Sequence, residues 1–224
     1  MEFSTLAVSL DANVATIALN RPDKANAMSE PMWYEIEQAM QWLDETPEAR
    51  VGVLTGRGKY FTSGIDLSLL MSLGAKIEDE DDGRRHEKLR RLILRLQDTL
   101  TSIERCRKPV LAAVHGACIG GGMDLITACD MRYCSANAYF TVKEIDVGMT
   151  ADVGTLQRLP RLIGEGMARE LAYTGRRVEG GEAQQMHLVN RCFETPEALH
   201  AGVMEIARSI AAKSPLAIRG CKEM

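Results

Sequence analysis

The sequence predicts an α/β fold whose strands run mainly parallel, and three observations carry that prediction. Apolar segments of strand length alternate with amphipathic segments of helix length along most of the 224 residues, the order expected of a parallel sheet covered by helices. One segment, Val110–Val114, is apolar at every position, as a strand covered on both faces must be. The composition, 46% hydrophobic and 26% charged, is that of a globular chain with ample length for a core.

The elements follow in order. Leu6, Val8 and Leu10 alternate, Asp11-Ala12-Asn13 offers a turn, and Val14–Leu19 resumes an apolar strand, so the chain should open with a hairpin. Asn20-Arg21-Pro22 ends it, because proline has no N–H for a ladder. A helix is expected from Ser29, with Pro31 in its first turn and Met32, Ile36, Ala39, Met40 and Leu43 at helical spacing. Residues 51–55 read as a short strand closed by Gly56 and Gly58, and the acidic stretch between Lys76 and Arg85 as a solvated loop. Leu89, Leu92, Ile93, Leu96, Leu100 and Ile103 mark a long amphipathic helix that ends before Pro109. After Val110–Val114, residues 117–128 are expected to form a helix opening on three glycines, with strands at 131–134 and 138–142. Further helices are expected at Thr155–Ile163, 167–173, 181–186 and 196–212. No repeat and no linker divides the chain.

Several function classes are disfavoured at this level. Lys and Arg number 27 against 31 Asp and Glu, for a net charge of −4, so no basic surface for nucleic acid is expected. No apolar run approaches the roughly 20 residues of a membrane span. Met1-Glu2-Phe3-Ser4 is no secretory leader, and an intracellular protein is expected. Six cysteines and four histidines show neither C-x-x-C pairs nor zinc spacing, so the cysteines are read as structural thiols of a reducing compartment, with no metal.

Three groups of residues carry candidate chemistry. In His115 to Leu125 a buried strand runs through Gly120-Gly121-Gly122 into a helix, where unpaired N–H groups suit a developing negative charge; tight packing of helix on strand explains the glycines equally well. In Lys59 to Leu67 a second strand-to-helix turn could bring another N–H to the same place. Ser63 lacks the G-x-S-x-G flanks of a hydrolase nucleophile. Lastly, Asp124, Glu144 and Asp152 lie in uncharged or apolar surroundings, where a carboxyl holds its proton more tightly and becomes fit for acid–base work. Taken singly, each has an ordinary alternative, as a helix cap, an ion pair or a solvated group.

Together these segments resemble the enoyl-CoA hydratase/isomerase (crotonase) superfamily. Asn20-Arg21-Pro22 with Asn26-Ala27, Phe61 to Leu67, His115 to Leu125 and Thr155 to Pro160 carry the resemblance, in order and spacing, from the first hairpin to the last residue. Asp124, Lys143-Glu144 and Ala151-Asp152-Val153-Gly154 are similar to the dienoyl-CoA isomerase branch, since hydratases typically carry glutamate at the place of Asp124 and no acid at that of Asp152. The resemblance implies one domain built as a spiral of ββα units over about 1–195, with 196–224 beginning a C-terminal helical region that is shortened here. It implies conversion of 3,5-dienoyl-CoA to 2,4-dienoyl-CoA in fatty acid β-oxidation, with hydration of a 2-enoyl-CoA or non-catalytic CoA binding as alternatives. The N–H groups of Ser63 and Gly121 would form the oxyanion hole. Glu144 would be the base and Asp152 the acid across one cavity, with Asp124 in support. Lys24, Ala25, Ala27, Ser63, Gly64, Ile65, Asp66, Leu67 and Gly121 would line the CoA path. No cofactor is implied, because the CoA thioester is the substrate, nor any nucleic acid or membrane. Trimers or paired trimers are implied, in a bacterial cytoplasm, mitochondrion or peroxisome.

Overall fold

The computed structural model describes residues 3–224. The opening hairpin pairs β1 (Leu6–Asp11) with β2 (Val14–Leu19) in antiparallel register, Leu6 opposite Leu19. Its two-residue loop places Ala12 and Asn13 at positive φ, 47° and 66°, the geometry whose twist matches the flanking strands. Then follow α1 (Glu30–Glu45), β3 (Val51–Gly56), α2 (Leu67–Ile77), α3 (Asp82–Arg105), β4 (Val110–Val114), β5 (Ala117–Ile119) and α4 (Gly121–Thr127). The second half holds β6 (Met131–Ser135), β7 (Tyr139–Thr141), α5 (Thr155–Ile163), α6 (Glu165–Thr174), β8 (Val178–Glu179), α7 (Gly180–Gln185), β9 (Arg191–Phe193), α8 (Pro196–Ala211) and α9 (Pro215–Glu223).

The strands form a six-stranded sheet, ordered β1-β2-β3-β4-β6-β9, and a three-stranded sheet, ordered β5-β7-β8. All pairs are parallel except β1–β2 and β7–β8, as the alternation of elements predicts. Alternating side chains split the core across the large sheet. Ile17, Leu54, Ala112 and Val114 face the larger cluster with α1 and the end of α3. Val14, Val53, Leu111 and Ala113 face Leu199, Val203 and Ala207 of α8.

Three expectations need correction. Residues 117–128 are not one helix: Ala117–Ile119 pair with Tyr139–Thr141 as a strand, and Gly120, at φ 51° and ψ −114°, breaks the chain before α4. The stretch from Lys76 to Arg85 is mostly helical, because α2 runs to Ile77 and Asp81 caps α3 through the Arg84 N–H. In α3 the expected apolar stripe is fully buried only near its end, at Thr99, Leu100 and Ile103.

Candidate active site

The site begins where β4 and β5 deliver the chain to α4. Gly120 occupies a backbone conformation open only to glycine, and a Cβ there would lie 3.2 Å from Glu144 Oε1. The carboxylate of Glu144 therefore lies directly over this turn. At the first position of α4 the Gly121 N–H has no acceptor among the described residues, as expected of a helix start. Gly122 serves packing instead: a Cβ on it would meet Thr62 Cγ2 at 2.6 Å.

The second turn, after β3, is knitted to the segment before α1. The Ser63 N–H donates to the Ala25 carbonyl at 3.0 Å, Met28 N–H to the Gly64 carbonyl at 2.8 Å, and Asp66 N–H to the Met28 carbonyl at 3.1 Å. Buried Asn26 accepts from the Arg21 N–H and donates to the carbonyls of Arg57 and Tyr60. These bonds correct the expected pair of amides. The Ser63 N–H is committed to Ala25, and on this turn it is the Ile65 N–H that has no acceptor among the described residues. Ile65 N also faces the first turn, 3.8 Å from where a Gly121 Cβ would stand.

The residues expected along the CoA path divide. Ala25, Ser63 and Gly64 are tied by the bonds above, with Ala27 and Ile65 next to them in the chain, while Lys24 is exposed in a 3-10 turn and Leu67 is exposed at the start of α2. Asp66 has a structural task. It caps α2 by accepting from Ser68 N–H and Oγ, and it pairs with Arg21 Nη1 at 2.8 Å. The Ser68 hydroxyl first, then Arg21, hold its carboxyl down to about 2.

The three carboxylates occupy different environments. Asp124, on the first turn of α4, is fully buried; its Oδ1 accepts from the Thr155 N–H and hydroxyl, both at 2.7 Å, and its Oδ2 has no partner. Burial, opposed by the Thr155 bonds and reinforced by Glu144, pushes its carboxyl up to about 7. Half-buried Glu144 opens the 3-10 turn after β7, and its Oε2 also lacks a partner. Burial raises its pKa, and so does the charge of Asp152. Asp152 is half-buried in the loop before α5, its carbonyl accepting from Gln97 Nε2 at 2.6 Å.

Electrostatics thus couple Glu144 to both other acids, while Glu144 and Asp152 border different cavities. Glu144 borders one of about 390 Å³, with largely apolar walls that include Val142, Met149, Ala151, Leu156 and Ala168. Asp152 borders the other, about 320 Å³, with polar walls from α3 and α5.

Sequence reasoning missed Thr155, which fixes Asp124, and Arg158, which braces the Asp152 loop. Arg158 reaches the Val153 carbonyl at 3.4 Å and binds Glu104 Oε2 on α3 at 2.6 Å. Both stand in the stretch 155–160 that carries the resemblance, but no local pattern assigns them these partners. Among the described residues no group of His, Cys, Asp and Glu is placed to hold a metal ion, and no helix is long and apolar enough to cross a membrane.

Two unspent amides close to one another, with an unpaired carboxylate oxygen near them, are what an enzyme needs to stabilise an enolate while moving a proton. The comparison with known proteins agrees with that class: residues 9–224 match the enoyl-CoA hydratase/isomerase family, and the chain belongs to it. It is 49% identical, over 95% of its length and 77% of the relative's, to the peroxisomal Delta(3,5)-Delta(2,4)-dienoyl-CoA isomerase of Arabidopsis thaliana. It is 44% identical to the mitochondrial isomerase of that name from Mus musculus, over 96% of its own length and 66% of the relative's. The solved enoyl-CoA hydratase of Bacillus anthracis has the same fold, with a TM-score of 0.87 at 33% identity over 98% of this chain and 81% of that one. The isomerases are thus nearer in sequence than this hydratase.

Proposed function

We propose that the protein isomerises 3,5-dienoyl-CoA thioesters to 2,4-dienoyl-CoA. One observation carries the reading: Glu144, with an unpaired oxygen and a pKa raised by burial, lies over the turn that presents the Gly121 amide. The thioester oxygen accepts from the N–H groups of Gly121 and Ile65. This pair differs from the Ser63–Gly121 pair that the resemblance implied, because the Ser63 N–H is already bonded. Charge developing on that oxygen is stabilised by the two amides. Glu144 takes the C2 proton, the double bonds shift, and Asp152 gives a proton to C6. Asp124, held by the Thr155 N–H and hydroxyl, lends support as a buried neighbour whose own proton is bound more tightly through the charge of Glu144. Protons and double bonds balance without a redox or metal group. The acyl chain fills the apolar cavity beside Glu144.

An absorbance assay tests this. A 3,5-dienoyl-CoA should give rising absorbance of a conjugated diene, and Glu144→Gln should lower that rate at least about a thousandfold, within the range general-base removal produces. Bleaching of a 2-enoyl-CoA with no diene formation would overturn the reading. One observation favours that hydratase alternative: the two unpaired carboxylate oxygens belong to Asp124 and Glu144, a pair that could hold a water. The same proposal includes assembly as trimers or paired trimers, supported by exposed Leu67, Met71, Val147 and Tyr173; light scattering that gave a monomer would remove it. All six cysteines are free thiols, which suits a reducing compartment such as a mitochondrion, peroxisome or bacterial cytoplasm.

A further inference from the structure

The isomerisation proposed above leaves a debt of one proton. At the end of each turnover Glu144 holds the proton taken from C2, and Asp152 has lost the one given to C6. Before the next turnover Glu144 must lose a proton and Asp152 must gain one. No hydrogen bond joins the two side chains among the described residues, and Glu144 Oε2 has no partner at all. They border different cavities, with largely apolar walls on the Glu144 side. A direct hop would have to cross the space that the bound acyl chain fills.

Asp152 has another outlet. The cavity of about 320 Å³ on its side is lined by Gln97, Thr101, Glu104, Gln157, Arg158 and Arg161. Every one of these side chains offers hydrogen bonds, and Val153 and Gly154 complete the wall. At about 30 Å³ per water, the space holds on the order of ten waters. Gln97 grips the Asp152 carbonyl, not its carboxylate, so the main chain is fixed while the acid remains free to exchange.

We infer that this polar cleft between α3 and α5 is the path by which Asp152 regains its proton from solvent, so that the hydrogen placed at C6 comes from water and not from C2. The cycle then balances. C2–H breaks and Glu144 O–H forms; Asp152 O–H breaks and C6–H forms. After product leaves, Glu144 yields its proton to water through the vacated apolar cavity, and Asp152 takes one from water in the cleft. This inference rests on the isomerase reading, and its test separates the two.

Wild-type protein is equilibrated in D2O and given protiated 3,5-dienoyl-CoA for many turnovers. Appearance of the conjugated diene tests the reading; the isotope at C6, read by NMR and mass spectrometry, tests the inference. We expect close to one deuterium at C6 per product. Protium at C6 in most of the product means direct transfer from C2 and overturns the inference while the reading stands. No diene removes the reading itself. The route is tested with Gln157→Trp, an exposed position with no side-chain hydrogen bond among the described residues, chosen to plug the cleft. Stopped-flow should show a burst of about one product per site, which reports a folded and competent site, followed by a steady rate at least fivefold below wild type. A burst-free trace at the wild-type rate overturns the cleft as the path.

Discussion

Asp124 shows how a single side chain couples the site to stability. A carboxyl at about 7 in the fold and 3.8 when unfolded binds more protons in the folded state between those values. Stability is therefore fullest below about pH 4 and is lost as pH rises towards and through 7, by about 4 kcal/mol in all. Asp124→Asn keeps an oxygen for both Thr155 donors and removes the charge. Chemical denaturation of the variant should show a nearly flat profile from pH 4 to 8, crossing above wild type at the alkaline end; an unchanged slope would mean that Asp124 does not titrate in this range. Gly120 gives a second prediction. Alanine there meets both a positive φ of 51° and the Glu144 carboxylate at 3.2 Å. Gly120→Ala should cost about 1–3 kcal/mol from backbone strain and reduce turnover at least tenfold by displacing the base, read as kcat falling in protein that still melts cooperatively. The three acids are legible in the sequence because they stand in uncharged or apolar surroundings, and the glycine turns because each follows an apolar stretch of strand length. The amide partner of Gly121 is not. Ser63 and Ile65 differ only in which N–H the Ala25 carbonyl consumes, and that depends on a segment 38 residues earlier in the chain.

At the scale of elements, α3 acts as the back wall of the Asp152 loop. Gln97 holds the Asp152 carbonyl, and Arg158 spans from the Val153 carbonyl to Thr101 and Glu104. The guanidinium lies across Gly154, where a Cβ would fall 1.6 Å from Nη1 at φ 133°. Glycine is thus required both for the turn and for the arginine's passage. Arg158→Met preserves the side chain's bulk but releases the loop. It should lower kcat about tenfold with little change in KM, because the loop carries the proposed proton donor and no part of the proposed CoA path. An altered KM at unchanged kcat would place Arg158 on substrate binding instead. Elements with strong periodicity, such as α1 and β1, are readable because apolar residues recur at each expected position. β5 is not, since three residues, Ala117–Ile119, carry no period, and only the distant partner β7 makes them a strand. The acidic run near residue 80 reads as loop because helix capping by Asp81 looks the same in sequence as a solvated charge.

Across the whole molecule, the parallel order of the large sheet places the β3 and β4 exits side by side, and the segments that follow them meet where Thr62 bridges Cys118 of β5. That topology is foreseeable from alternating elements, whereas the split into two sheets is not, because it depends on the bend at Gly116, φ 59°, that carries the chain from β4 into β5. The last helix is held to this frame mainly by polar contacts. None of the side chains of α9 is fully buried, and its firmest tie is Lys222, whose Nζ donates to Asp130 Oδ2 at 2.7 Å and to the carbonyls of Lys108 and Ile103 at 3.0 and 3.3 Å. Asp130 also accepts from the Val110 N–H, so the lysine links α9 to the start of β4. Hydrogen bonds to a charged group contribute about 1.5–3 kcal/mol each at most, and elements with few apolar contacts open locally without the rest. In Lys222→Met, amides of Pro215–Glu223 should therefore exchange about ten- to a hundredfold faster. Those of β4 should keep their protection, since Val110 retains Asp130 and the strand is buried on both faces. Equal loss of protection in β4 and α9 would show that the terminal helix belongs to the global folding unit, and that the sheet draws part of its stability from it.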